Sequence, residues 1–180
     1  MKVTLDACVL YPTVLREVLL GCAQQGLFRP LWSPRILEEW ARATIKLGPG
    51  AETVARGEIA VLTARWPEAS VLPRDGDLRR LHLPDKDDVH VLASAIAGSA
   101  DAIVTFNARD FPRHLLADEG LLRIDPDRFL LDLFTAAPDL VRSATGAVHE
   151  KAERLAGETF DLRALLKRAT LPRLGKALTA

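Results

Sequence analysis

Apolar residues recur along this chain in two rhythms. Short unbroken runs of Val, Ile and Leu alternate with longer stretches in which apolar positions return every three or four residues, the signatures of buried strands and amphipathic helices. Val3-Thr4-Leu5 is the first run and ends at Asp6. Pro12 then opens a helix to about residue 25, with Val14, Leu15, Val18, Leu19 and Cys22 at helical spacing and Gly26 as its stop. Ser33-Pro34 supplies an N-cap and a first-turn proline to a second helix, supported by Ile36, Leu37, Trp40 and Ile45 and ended by Gly48-Pro49-Gly50. A third helix is predicted over 52–65, and an irregular segment with a short strand at Val71-Leu72 follows it to residue 83.

The rhythm returns with a helix over 87–97, carried by Val91, Leu92, Ala95 and Ile96 and ended by Gly98. A second buried strand is predicted over 102–106, then a turn from Asn107 to Asp110, a short helix near Leu115 and a last strand at Leu122-Arg123-Ile124. Strands alternating with helices predict an α/β fold whose parallel sheet is covered on both faces. Beyond Asp125-Pro126 only helical spacing remains, over 127–135, 140–155 and 162–167, ahead of a polar-apolar tail. The expected organisation is one α/β domain over residues 1–130 with a helical extension, 131–180, packed on it.

Composition narrows the function classes. Acids and bases balance at 24 each, so no whole-protein field attracts nucleic acid and any such binding must use local basic patches. Cys8 and Cys22 are too few for a disulfide framework or a zinc site. The opening MKVTLDACVLYP has neither the apolar length of a membrane span nor a cleavage site, so a cytoplasmic protein without membrane attachment is expected. No phosphate-cradling glycine loop and no Gly-x-Ser-x-Gly elbow occurs, which disfavours P-loop and serine-esterase chemistry.

The acids carry the candidate chemistry. Asp6 ends a strand, Glu38-Glu39 lies in a helix, Asp85, Asp87 and Asp88 precede another, and Asp110 ends the turn after the second buried strand. Ligands of open α/β sheets bind outside the carboxyl ends of the strands, where these segments would converge. Clustered carboxylates suit hard divalent cations such as Mg²⁺ or Mn²⁺. Each acid also has a structural reading: Asp87 and Asp88 as helix caps, Asp6 as a strand terminator, Asp110 as a turn residue, and one of Glu38 and Glu39 as plain surface. Their convergence favours function.

MKVTLDACVLYP, WSPRILEEW, LPDKDDVHVLASAI and DAIVTFNARDFP resemble, in order and spacing, the motifs of PIN-domain proteins, whose bacterial members are chiefly VapC-like toxins. The resemblance implies a PIN-like three-layer α/β/α fold and an Mg²⁺- or Mn²⁺-dependent endoribonuclease acting as the toxin of a toxin–antitoxin pair. By it Asp6, Glu39, Asp88 and Asp110 would be catalytic and hold one or two ions. Thr105, Asn107, Asp85 and Asp87 would support them. Arg16, Lys86, Arg109 and Arg113 are candidate contacts to RNA phosphates. A DNA-binding antitoxin and a homodimer are partners the resemblance implies. Cys8 stands where the family often has Asn, a departure shared by the subgroup with the Asp-Ala-Cys-Val-Leu-Tyr-Pro opening. Val89 stands where that subgroup tends to carry Arg. Two other readings stay open: a PIN-like binding module without turnover, and a metal-dependent DNA nuclease or phosphatase.

Overall fold

The computed structural model describes residues 1–180. In chain order the elements are β1 (Lys2–Leu5), α1 (Ala7–Leu10), α2 (Thr13–Gln24), β2 (Arg29–Leu31), α3 (Pro34–Ala43), α4 (Ala51–Arg65), α5 (Asp75–Arg80), α6 (Val89–Ala97), β3 (Ala102–Val104), α7 (Arg113–Asp118), β4 (Leu122–Ile124), α8 (Pro126–Ala136), α9 (Pro138–Ala156), α10 (Leu162–Arg168) and α11 (Pro172–Leu178). They form two compact units, one of Met1–Tyr11 with Arg29–Ile124 and one of Pro12–Phe28 with Asp125–Ala180. The helix that sequence reasoning places inside the 1–130 domain, α2, therefore sits in the second unit, where it packs on α9.

The first unit is an α/β fold on a four-stranded parallel sheet of order β2-β1-β3-β4. Val3, Leu5, Ile103 and Val104 are fully buried, as expected for parallel strands shielded on both faces. β1 and β3 are neighbours with Leu5 opposite Val104, so the residues that follow, Asp6 and Thr105, leave the sheet side by side. β2 was not foreseen because Pro30 lies within it, and a proline is tolerated there only because β2 is an edge strand. The strand expected at Val71-Leu72 is reduced to a single parallel bridge between Trp32 and Ser70. Gly98, just past α6, comes so near Leu31 that a Cβ there would lie 2.7 Å from Leu31 Cδ1.

Local sequence sets α3, the helix that matters most for the site. The Ser33 hydroxyl accepts a hydrogen bond from Ile36 N–H at 3.2 Å and Pro34 fills the first turn, as the Ser-Pro pair predicts. Ile36, Leu37, Trp40 and Ala41 are buried, which fixes how the polar face is turned. The helix stops at Ala43, earlier than the glycine signals suggest, and a 3-10 turn over Ile45–Leu47 takes its place. Glu38 accepts from Arg42 and from Arg56 of α4, tying the two helices together, and these guanidinium groups push its carboxyl down to about 2.

In the second unit Asp125 caps α8 by accepting from Arg128 N–H at 3.1 Å, and Phe28 meets Phe129 edge to face at 5.0 Å. The buried Asp127 carboxylate accepts from Arg173 N–H and Leu174 N–H at 2.9 and 3.0 Å, capping α11, a helix where the sequence pattern predicts only a polar-apolar tail. No helix of the chain is long and apolar enough to cross a membrane.

Candidate metal centre

At the carboxyl ends of β1 and β3, Thr105 organises the first acid. Its hydroxyl donates to Asp6 Oδ2 at 2.6 Å and accepts from Asn107 N–H at 2.9 Å. The Cys8 thiol also donates to Asp6 Oδ2, at 3.1 Å, and lies 3.3 Å from the Thr105 hydroxyl. Burial and the adjacent Asp6 charge push that thiol up to about 12, so it remains a thiol donor at neutral pH. Thr105→Val, close in size but without the hydroxyl, should loosen the Asp6 carboxylate and weaken binding of a divalent cation about 10–100-fold. The rise of the melting temperature with Mg²⁺ or Mn²⁺ checks this; an unchanged rise would mean that Asp6 needs no orientation.

Asn107 joins the β3 loop to the start of α6. Its side-chain N–H donates to Asp88 Oδ2 at 2.9 Å, and its carbonyl accepts from Asp110 N–H at 3.3 Å. Asp85 accepts from Asp87 N–H at 2.9 Å and so opens the turn that presents Asp88. In consequence Asp85, Asp88 and Asp110 each bring an oxygen within 4.8 Å of the others'.

Sequence reasoning placed Asp6 and Glu39 in the ligand set and Asp85 in a supporting role, whereas the tightest group here has Asp85 and leaves those two outside. Both carry partners of their own. Asp6 is held by Thr105 and Cys8, while Glu39 Oε1 accepts from Arg35 Nε at 3.3 Å and lies 2.8 Å from His90 Nε2. That His90 nitrogen is near enough for an ion pair but poorly aligned for a hydrogen bond, and neither ring nitrogen of this buried imidazole has a hydrogen-bond partner.

Asp6 and Glu39 nonetheless act on the group electrostatically. Half-burial first, and then the charges of Asp6, Asp85, Asp110 and Glu39, raise the Asp88 carboxyl from 3.8 to about 6. Five mutually repelling carboxylates, all offering oxygen, form the donor chemistry that hard divalent cations complete. On this observation the residues fit such an ion.

The remaining expected residues divide. Asp87 points its side chain into solvent, where it meets Arg35 at 3.7 Å while its carbonyl accepts from the same guanidinium. It thus braces Arg35 and does not join the acids. Lys86, Arg109 and Arg113 are exposed. Arg16 is only 3% exposed and lies in the second unit, so it does not offer its guanidinium to a polymer in solution, contrary to expectation. Sequence reasoning missed Arg35 and gave Cys8 no role. The four-residue spacing of Arg35 and Glu39 was the available signal for the former; nothing local marks Cys8.

A sequence model of the PIN domain matches residues 2–109, more than half of the chain, and the chain belongs to the PIN-domain family. It is similar to a Mycobacterium tuberculosis protein named "Putative ribonuclease VapC50", with 43% identity over 61 residues. That stretch is 34% of this chain and 34% of the relative, so the match spans about a third of each protein. No solved structure matches the chain.

Proposed function

We propose that the protein is a metal-dependent endoribonuclease and the toxin of a toxin–antitoxin pair. The observation that carries this reading is the gathering of Asp6, Glu39, Asp85 and Asp110 around the half-buried Asp88 at the carboxyl ends of β1 and β3. Membership of the PIN-domain family and the partial likeness to a protein named as a ribonuclease support it.

Asp85, Asp88 and Asp110 would hold a Mg²⁺ or Mn²⁺ ion, with Asp6 and Glu39 facing it or a second one. The ion's chemistry is to acidify water for in-line attack on a phosphodiester and to neutralise charge on the leaving oxygen. The chain's own groups set the geometry. Thr105 and Cys8 fix the Asp6 carboxylate, Asn107 fixes Asp88, and Arg35 fixes Glu39. Lys86, Arg109 and Arg113 would steer the RNA backbone. A DNA-binding antitoxin and self-association complete the proposal.

Purified protein should cut members of a mixed RNA panel with Mg²⁺ or Mn²⁺ and none with EDTA, leaving single-stranded DNA and a phosphomonoester intact. Turnover of the DNA or the monoester alone would replace the ribonuclease by the alternative hydrolase. Metal-raised melting temperature without any turnover would favour the binding module.

A further inference from the structure

The last twenty residues carry a charge asymmetry that the site leaves unused. Residues 161–180 contain five cations, Arg163, Lys167, Arg168, Arg173 and Lys176, against one acid, Asp161, in a chain whose formal charge is zero. All five cations are exposed, and none of them forms an ion pair. Elsewhere exposed arginines are commonly spent on acids, as Arg42 and Arg56 on Glu38, Arg80 on Glu119 and Arg128 on Asp132.

Two acids of the unit that meet these helices serve backbone instead. Asp161 caps α10 by accepting from Ala164 N–H at 2.7 Å, and Asp127 caps α11. The helices pack closely enough that a Cβ on Gly175 would lie 3.3 Å from Leu166 Cβ and 3.7 Å from Arg163 Cα. α11 thus meets α10 where Gly175, the neighbour of Lys176, lies against Arg163, and Lys167 follows Arg163 by one turn. The apolar residues of the pair, Leu165, Leu166, Leu171, Leu174 and Leu178, are buried.

We infer that the α10–α11 hairpin is a contact surface for the phosphate backbone of single-stranded RNA, an inference that rests on the ribonuclease reading for the identity of the polymer. Exposed cations with no acid to neutralise them, Arg168 lying over the Phe160 ring, on two adjacent helices are what sequence-independent phosphate contact requires. A membrane-surface helix would need an exposed apolar anchor, and no large apolar side chain is exposed in residues 161–180. A protein partner's hot spots, chiefly Trp, Tyr and Arg, sit in well-packed desolvated pockets, whereas all five cations here stand exposed.

The test uses the full chain in EDTA, a labelled unstructured RNA oligonucleotide and a salt titration. Arg163→Gln, Lys167→Gln, Arg173→Gln and Lys176→Gln together should weaken binding about tenfold or more and flatten the log-log salt slope by about 3, at ~0.7 per single-strand phosphate contact. The melting temperature should not move, and the charge-keeping pair Arg163→Lys with Arg173→Lys should bind as the parent does. Equal affinity and slope in parent and variant, or no RNA binding by the parent at low salt, would overturn the inference. A variant that loses only its binding to vesicles of anionic phospholipid would overturn it in favour of a membrane. Because EDTA separates binding from cleavage, a parent that binds through the hairpin but never cuts RNA sinks the ribonuclease reading alone. A variant that cuts as before and binds as before sinks this one alone.

Discussion

Asp88→Asn should abolish cleavage, by at least about a hundredfold, while making the metal-free protein more stable at neutral pH. The first effect follows because removing even groups that merely support metal ligands costs about 10–100-fold, and Asp88 is central to the acidic group. The second follows from its raised carboxyl. Between 3.8 and about 6 the folded chain holds a proton on Asp88 that the unfolded chain has released, so folding stability falls as pH rises through that window. Above it the ionised Asp88 opposes folding, and asparagine relieves the repulsion while still accepting from Asn107. The melting temperature of metal-free Asp88→Asn should exceed that of the parent at pH 7.5, and the gain should shrink towards zero as pH falls from about 6 to 4. Mg²⁺ or Mn²⁺ should raise the parent's melting temperature at pH 7.5 and leave the variant's nearly unchanged. A variant no more stable than its parent in EDTA at pH 7.5 would show that the five carboxylates do not crowd one another in solution.

Trp40→Ala should destabilise the first unit by about 3–5 kcal/mol, the range for truncating a buried aromatic side chain. Trp40 is 1% exposed and anchors the buried face of α3 with Ile36, Leu37 and Ala41. The same helix carries Arg35 and Glu39 on its other side, so loss of the anchor should loosen the Glu39 arm as well as the core. Urea unfolding followed by tryptophan fluorescence reads this unit alone, since Trp32, Trp40 and Trp66 all lie between Arg29 and Ile124. A loss below about 1 kcal/mol would mean that the site around the ring collapses freely.

How much of this was legible in sequence depended on whether the signal was local. The α/β class, β1 ending at Asp6, the Ser33-Pro34 start of α3, β3 and β4 each announced themselves by a run of apolar residues or a cap. β2 did not, because Arg29-Pro30-Leu31 has a strand-breaking proline that only an edge position excuses. α5 and α11 are short and take their caps or partners from distant residues: α11 is capped by Asp127 and α5 packs on α6, neither visible in a local window. At the candidate centre the acids were legible as types but not as a geometry. That Asp85, and not Asp6 or Glu39, joins Asp88 and Asp110 in the closest group depends on side-chain placement across separate segments, which no local window shows. Arg16 misled because charged residues are mostly exposed, and this one is not.

The excursion of the chain at Pro12–Phe28 bears on how the protein is made. α2 leaves the ribosome early, yet the helix it packs on comes far later: Gly21 rests against Ala144, 123 residues downstream. At roughly 5–20 residues per second, the face of α2 around Gly21 waits on the order of 6–25 s for its cover. Throughout that interval the nascent chain displays a helix face that chaperones can bind and that a second nascent chain can capture. A chain cut near residue 130 would keep that face and never make α9, so such fragments should be aggregation-prone even though they hold every acid of the candidate centre.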